Sequence, residues 1–223
     1  LAELESVLEL SLRMAIRDGE GKVTDDILDE AFETFNSGEK KTWDESTLER
    51  VARHEAGHAF MYWHDGETPS YLTIVARGNH GGYMQHADNE GKAISTREDL
   101  LALIRTSLAG RAAEIAYYGD EDGISTGASG DLSNATRTAQ RIVCTYGMDD
   151  DFGLAVVDSS AANSGALSSE VRKAVNAILS QQMEKTLSII KENKASIDAL
   201  VAALMEKNQL TGDEIDAILK GNK

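Results

Sequence analysis

Apolar side chains recur along this chain mostly at the three- and four-residue spacing of helices. Leu4, Val7, Leu8, Leu12 and Ala15 predict an amphipathic helix over 1–17, already under way at the first residue. A chain that opens inside a helix and without Met reads as a piece of a longer protein. A second helix is expected from Thr24, with Asp25 and Asp26 in a first turn that favours acids and a stripe of Ile27, Leu28, Ala31, Phe32 and Phe35. Asn36-Ser37-Gly38 breaks it, and Lys40-Lys41 reads as a linker, so a domain boundary is placed at 41. The next helix spans 46–63 through Leu48, Val51, Ala52, Ala59, Phe60 and Trp63, and His64-Asp65-Gly66 ends it.

The period then changes. Tyr71-Leu72-Thr73-Ile74-Val75 is aromatic and β-branched and predicts a strand, with a turn over 78–82 and a partner strand at Tyr83-Met84-Gln85-His86. Ser95-Thr96-Arg97-Glu98 fits a capping box that opens a helix to Tyr118. An acidic, glycine-rich loop over 119–127 precedes a helix over 128–146, with Leu132, Ala135, Ala139, Ile142 and Val143 inward. Small polar residues over 158–168 predict a loop. Helices follow over 169–192 and 195–207, and a second capping box, Thr211 to Glu214, starts a last helix through Ile215 and Leu219. No internal repeat is visible. The expected fold is mainly α with one small sheet.

Composition narrows the function classes. The 22 basic and 38 acidic side chains give a net charge of −16, which argues against a nucleic-acid partner, since a phosphate backbone demands clustered Lys and Arg. The single cysteine, Cys144, excludes an internal disulfide and a multi-cysteine metal cage. One proline, Pro69, stands where ordinary usage gives about 11, in keeping with long helices. No apolar run reaches the ~20 residues that span a bilayer.

The chemistry lies in His54-Glu55-Ala56-Gly57-His58, an H-E-x-x-H inside a predicted helix. Residues four apart lie ~40° apart around a helix axis, so His54 and His58 stack on one face and can hold one metal ion. Neutral imidazoles suit zinc, and Glu55 between them suits a general base on a water at that metal. An open catalytic zinc site needs a third protein ligand. His64 is a poor candidate, pointing ~240° away from His58 if the helix continues. Glu114, in Gly110-Arg111-Ala112-Ala113-Glu114, and Asp131, after Ser125-Thr126-Gly127-Ala128-Ser129-Gly130, remain as alternatives that the residues alone do not separate.

These three motifs in series, with Asp131-Leu132, Leu72-Thr73-Ile74-Val75 before Arg77-Gly78, and Tyr146-Gly147-Met148, resemble the peptidase domain of the FtsH family of membrane-anchored ATP-dependent zinc metalloproteases. The similarity covers roughly 46–220, with departures at Gly130 (commonly Asn), Ile115 (commonly Glu) and Ala76 (often Pro). The resemblance implies a helical zinc-peptidase domain over 42–223, preceded over 1–41 by the end of an AAA ATPase helical lid. It implies Zn²⁺ on His54, His58 and Asp131, Glu55 as catalytic base, Glu114 near the site but off the metal, and an edge strand over Tyr71, Leu72, Thr73, Ile74 and Val75 that receives an unfolded polypeptide. It further implies a homo-oligomeric, hexameric ring. ATP and Mg²⁺ would act only through an ATPase domain outside this chain, whose sequence holds no G-x-x-x-x-G-K-[ST]. A membrane anchor outside this soluble fragment would place it on the cytoplasmic side in a bacterium. The competing expectation is a catalytically silent scaffold of the same fold.

Overall fold

A computed structural model describes residues 2–78, 81–86, 94–121, 123–154, 156–157 and 165–222, without side chains for 165–168. In chain order the elements are α1 (Ala2–Arg17), α2 (Asp25–Ser37), α3 (Glu45–His64), β1 (Tyr71–Thr73), β2 (Tyr83–Gln85), α4 (Arg97–Tyr118), α5 (Ser129–Cys144), α6 (Gly165–Glu192), α7 (Lys194–Lys207), β3 (Gln209–Thr211) and α8 (Gly212–Gly221). Helices dominate, with one small antiparallel sheet. No helix among the described residues is long and apolar enough to cross a membrane.

Helix starts follow local hydrogen-bonding chemistry. Asp44 caps α3 by accepting from the Thr47 N–H at 3.0 Å. The capping box of α4 lies one residue later than the sequence suggested: Thr96 caps and Asp99 reaches back to the Thr96 N–H at 2.7 Å. Two acids in succession, Glu98 and Asp99, left that register open. Thr211 and Glu214 form the expected box at α8.

The centre of the domain is the α3–α4 pair. Ala52, Ala56 and Ala59 of α3 and Ala109, Ala112 and Ala113 of α4 are all buried. A Cβ on Gly57 would lie 2.8 Å from the Ala109 carbonyl oxygen and 2.9 Å from the Ala113 Cβ. The helices therefore approach almost backbone to backbone, and only small residues fit between them. Phe60, Met61, Leu72, Ile74, Leu200, Leu204, Leu210 and Ile215 close the core on one side. Ile104, Leu108, Ala135, Ile142, Val171 and Val175 close it on the other, beneath α5 and α6.

The sheet order is β2-β1-β3, so β1 is the central strand. This corrects the edge-strand expectation. Tyr71, Leu72 and Thr73 pair with Gln85, Met84 and Tyr83 on one flank and with Thr211, Leu210 and Gln209 on the other. Ile74 and Val75 lie beyond the strand, where the Ile74 N–H donates to the Asn208 carbonyl and the Val75 N–H to the Thr73 hydroxyl. The overlooked partner, β3, is three residues long and shares Thr211 with the α8 cap. It is too short to show a period-2 pattern.

α1 and α2 pack on each other through Val7, Met14 and Ala31. The buried face of α1 is Val7, Ser11, Met14 and Ala15, so the expected core positions Leu4, Leu8 and Leu12 are exposed beside it, as are Phe32 and Phe35 of α2. The Arg77 guanidinium clamps the Glu30 carboxylate with two bonds, 2.7 and 3.0 Å, and ties this pair to the end of the β1 segment. Two further expectations shift. Leu132 is 38% exposed rather than inward, and α6 begins at Gly165, inside the segment read as a loop; residues 158–164 of that loop lie outside the described residues.

Arg105, 3% exposed, joins three helices. Its guanidinium donates to Asp65 at the end of α3 (2.9 Å), Glu98 in the first turn of α4 (2.8 Å) and Gln182 of α6 (3.1 Å). Arg105→Ala strands a largely buried carboxylate and is expected to destabilise the fold by about 3 kcal/mol, read as a lower urea midpoint with an unchanged slope.

Candidate metal centre

Helical spacing alone puts His54 and His58 on one face of α3. The surrounding helices fix which ring nitrogens face the site. The His58 Nδ1 lies 2.7 Å from the Thr106 carbonyl oxygen, which can only accept, so Nδ1 carries the proton and Nε2 presents its lone pair. The His54 Nδ1 lies 3.2 Å from Glu114 Oε1, with the same consequence. The two Nε2 atoms are 3.1 Å apart. Asp131, in the first turn of α5, brings Oδ2 to 3.2 Å from the His54 Nε2 and 3.5 Å from the His58 Nε2. His54, His58 and Asp131 thus offer three ligand atoms within 4.8 Å of one another.

Such a cluster needs a positive charge at its centre, a proton or a metal ion, because two imidazole lone pairs and a carboxylate oxygen repel one another in a buried site. The electrostatics show the same demand. Burial would lower the His54 pKa, but its bonds to Asp131 and Glu114 prevail and raise it to about 9. Burial would raise the Asp131 pKa, and the two imidazoles instead hold it well below the usual carboxylate range. Two imidazole nitrogens and one carboxylate form a donor set that suits zinc with one position left open.

The site is shaped around that centre. His54, Glu55 and His58 are 7–9% exposed. Gly110 of α4 lies beneath the rings: a Cβ there would stand 2.4 Å from the His54 Nε2 and 2.6 Å from the His58 Nε2. Glu55 packs under the start of β2, where a Cβ on Gly82 would meet its Cγ at 3.0 Å. Glu114 stands behind His54, outside the converging ligand atoms. Burial pushes its pKa up, but His54 and the Ser125 hydroxyl and N–H prevail and lower it to about 2. His64, at the exposed end of α3, pairs with Asp65 and lies outside the cluster. Tyr71, Leu72 and Thr73 sit inside the sheet, with the Thr73 carbonyl against Gly82.

Sequence reasoning did not find three contributors: the Thr106 carbonyl, the Gly110 cradle and Ser125. A backbone carbonyl leaves no trace in residue type. Gly110 had a signal, a glycine interrupting the alanine-rich face opposite the H-E-x-x-H helix.

Comparison with known proteins sets this geometry in a family. A family model described as Peptidase family M41 matches residues 41–218. This chain belongs to peptidase family M41. Among similar curated proteins, the ATP-dependent zinc metalloprotease FtsH of Mycoplasmopsis synoviae is 33% identical over 239 residues, covering 100% of this chain and 36% of the relative. FtsH 3 of Sphaerobacter thermophilus is 33% identical, covering 98% of this chain and 45% of its own length. The YME1 homolog of Schizosaccharomyces pombe is 34% identical over 176 residues. The chain spans about a quarter to under a half of the length of these curated relatives.

Two outcomes follow from the site's packing and charge. Gly110→Ala drives a methyl group into both rings and is expected to abolish zinc uptake, measured by elemental analysis, while the helical circular dichroism remains. Metal binding at Nε2 requires neutral His54, which in the metal-free chain is protonated below about 9. Zinc uptake at pH 7 is therefore expected to release a proton, and apparent affinity to rise with pH up to that value. Titration calorimetry in buffers of different ionisation enthalpy measures the release.

Proposed function

We propose that this chain is the zinc endopeptidase unit of an ATP-dependent protease, and that it cleaves unfolded polypeptides. The observation that carries the reading is the convergence of His54, His58 and Asp131 with a buried carboxylate, Glu55, between the two histidines in sequence. His54 and His58 through Nε2, and Asp131 through Oδ2, would hold Zn²⁺. Bound zinc supplies a Lewis acid that lowers the pKa of water and polarises the scissile carbonyl. The Glu55 carboxylate takes a proton from the attacking water and later delivers it to the departing amine. Glu114 and the Thr106 carbonyl keep the Nδ1 protons in place, so both imidazoles stay oriented during turnover. A complete donor set with its supporting bonds favours this reading over a silent scaffold.

With β1 enclosed, the extended substrate is assigned to the outer side of β2, which has no paired strand among the described residues. β2 leaves Gly82 beside Glu55 and ends toward His86, whose ring meets the Tyr62 ring edge-on at 4.7 Å. An added strand there would pass along the α3 face that carries the site. Main-chain pairing would give affinity with little sequence preference.

Residues 1–41 are read as the end of an AAA ATPase lid. In support, the family model begins at 41 while relatives named ATP-dependent align over the whole chain. ATP and Mg²⁺ would then act through an ATPase domain elsewhere in the longer protein. A hexameric ring anchored in a membrane completes the reading. The direct test is Glu55→Gln in the full-length protein. It is expected to keep its zinc and to lose casein hydrolysis by at least about 100-fold. Undiminished hydrolysis would remove Glu55 from the mechanism.

A further inference from the structure

We propose that Ser125 is a positioning residue for His54, acting through Glu114. The proposal rests on the zinc-site reading above. Ser125 engages both oxygens of the Glu114 carboxylate: its hydroxyl donates to Oε1 at 2.6 Å and its N–H to Oε2 at 2.9 Å. Oε1 also accepts the His54 Nδ1–H at 3.2 Å. Glu114 is 1% exposed. Without the serine hydroxyl, Oε1 would lose its 2.6 Å bond and keep only the His54 ring as a partner, while the backbone N–H at 125 would still hold Oε2.

Ser125 is itself fixed from α4 and from within its own loop. Its carbonyl accepts from the Arg111 guanidinium of α4 at 2.7 Å, and its Oγ accepts from the Gly127 N–H at 3.1 Å. Two residues earlier, the Gly123 carbonyl accepts from Arg50 of α3 at 2.6 Å. Arg50 lies one helical turn before His54. The segment 123–131 therefore grips the His54 ring at both nitrogens, at Nδ1 through Ser125 and Glu114 and at Nε2 through Asp131. His58 shares Asp131 at Nε2 but does not depend on Ser125, since its Nδ1 rests on the Thr106 carbonyl. The two histidines thus provide an internal comparison.

The test combines zinc affinity, by competition with a chromophoric chelator, and nuclear magnetic resonance of the ring N–H protons in the zinc-loaded chain. Ser125→Ala is expected to weaken zinc binding 10- to 100-fold, the range seen when outer partners of metal-bound histidines are removed. The His54 Nδ1–H should exchange faster with solvent while that of His58 is unchanged, and Ser125→Thr, which keeps the hydroxyl, should restore both readouts. If the alanine variant fails to fold, Ser125→Cys, whose thiol is a weak donor, carries the test, with the same His54-selective loss. Affinity within twofold of wild type, or equal acceleration at both histidines, overturns the role of Ser125. A wild-type chain that takes up no zinc overturns the metal reading and this role together.

Discussion

Two imidazole nitrogens and a carboxylate oxygen held in one buried corner repel one another until a positive charge, a proton or a metal ion, joins them. Much of the domain serves to hold them there. The constraint begins behind the rings, where the Thr106 carbonyl and the Glu114 carboxylate claim the two Nδ1 protons. With those protons fixed, both Nε2 atoms turn toward Asp131. As bare acceptors the three would be costly to bring together; without metal, the proton that His54 holds up to about pH 9 relieves them.

The tight α3–α4 crossing follows from the same requirement. Gly57 lets the helices approach, and Gly110 leaves room for the rings that the approach brings near. Side chains larger than hydrogen at either position would separate the helices or occupy the site. The pairing also places Thr106, Gly110 and Glu114 along one face of α4, four residues apart, each against a different part of the histidine pair. α5 contributes only Asp131 to the ligands, and its placement depends on the loop that Arg50 and Arg111 anchor.

Much of this was legible in the residues. Helical period located the major helices to within a few residues, and H-E-x-x-H inside one of them identified the chemistry. The third ligand was not legible from spacing, because Glu114 and Asp131 are both acids brought close by tertiary packing. The geometry separates them by ring nitrogen: Glu114 takes Nδ1 of His54 and Asp131 takes Nε2. The sheet was only partly legible. β1 carries β-branched and aromatic residues, but β3 is three residues long and comes from the far end of the chain. Its pairing turns an expected edge into a centre and moves the open edge to β2. α1 misled for another reason. Its leucines at 4, 8 and 12 look like a core stripe, yet the helix buries the neighbouring face through Val7, Ser11 and Met14.

X-ray absorption at the zinc edge distinguishes Asp131 from Glu114 as the third ligand beside His54 and His58. One zinc per chain is expected, bound by two imidazole nitrogens and oxygen ligands, with an oxygen contribution that changes in Asp131→Ala and persists in Glu114→Ala. A spectrum unaltered by Asp131→Ala but losing an oxygen ligand in Glu114→Ala would contradict it.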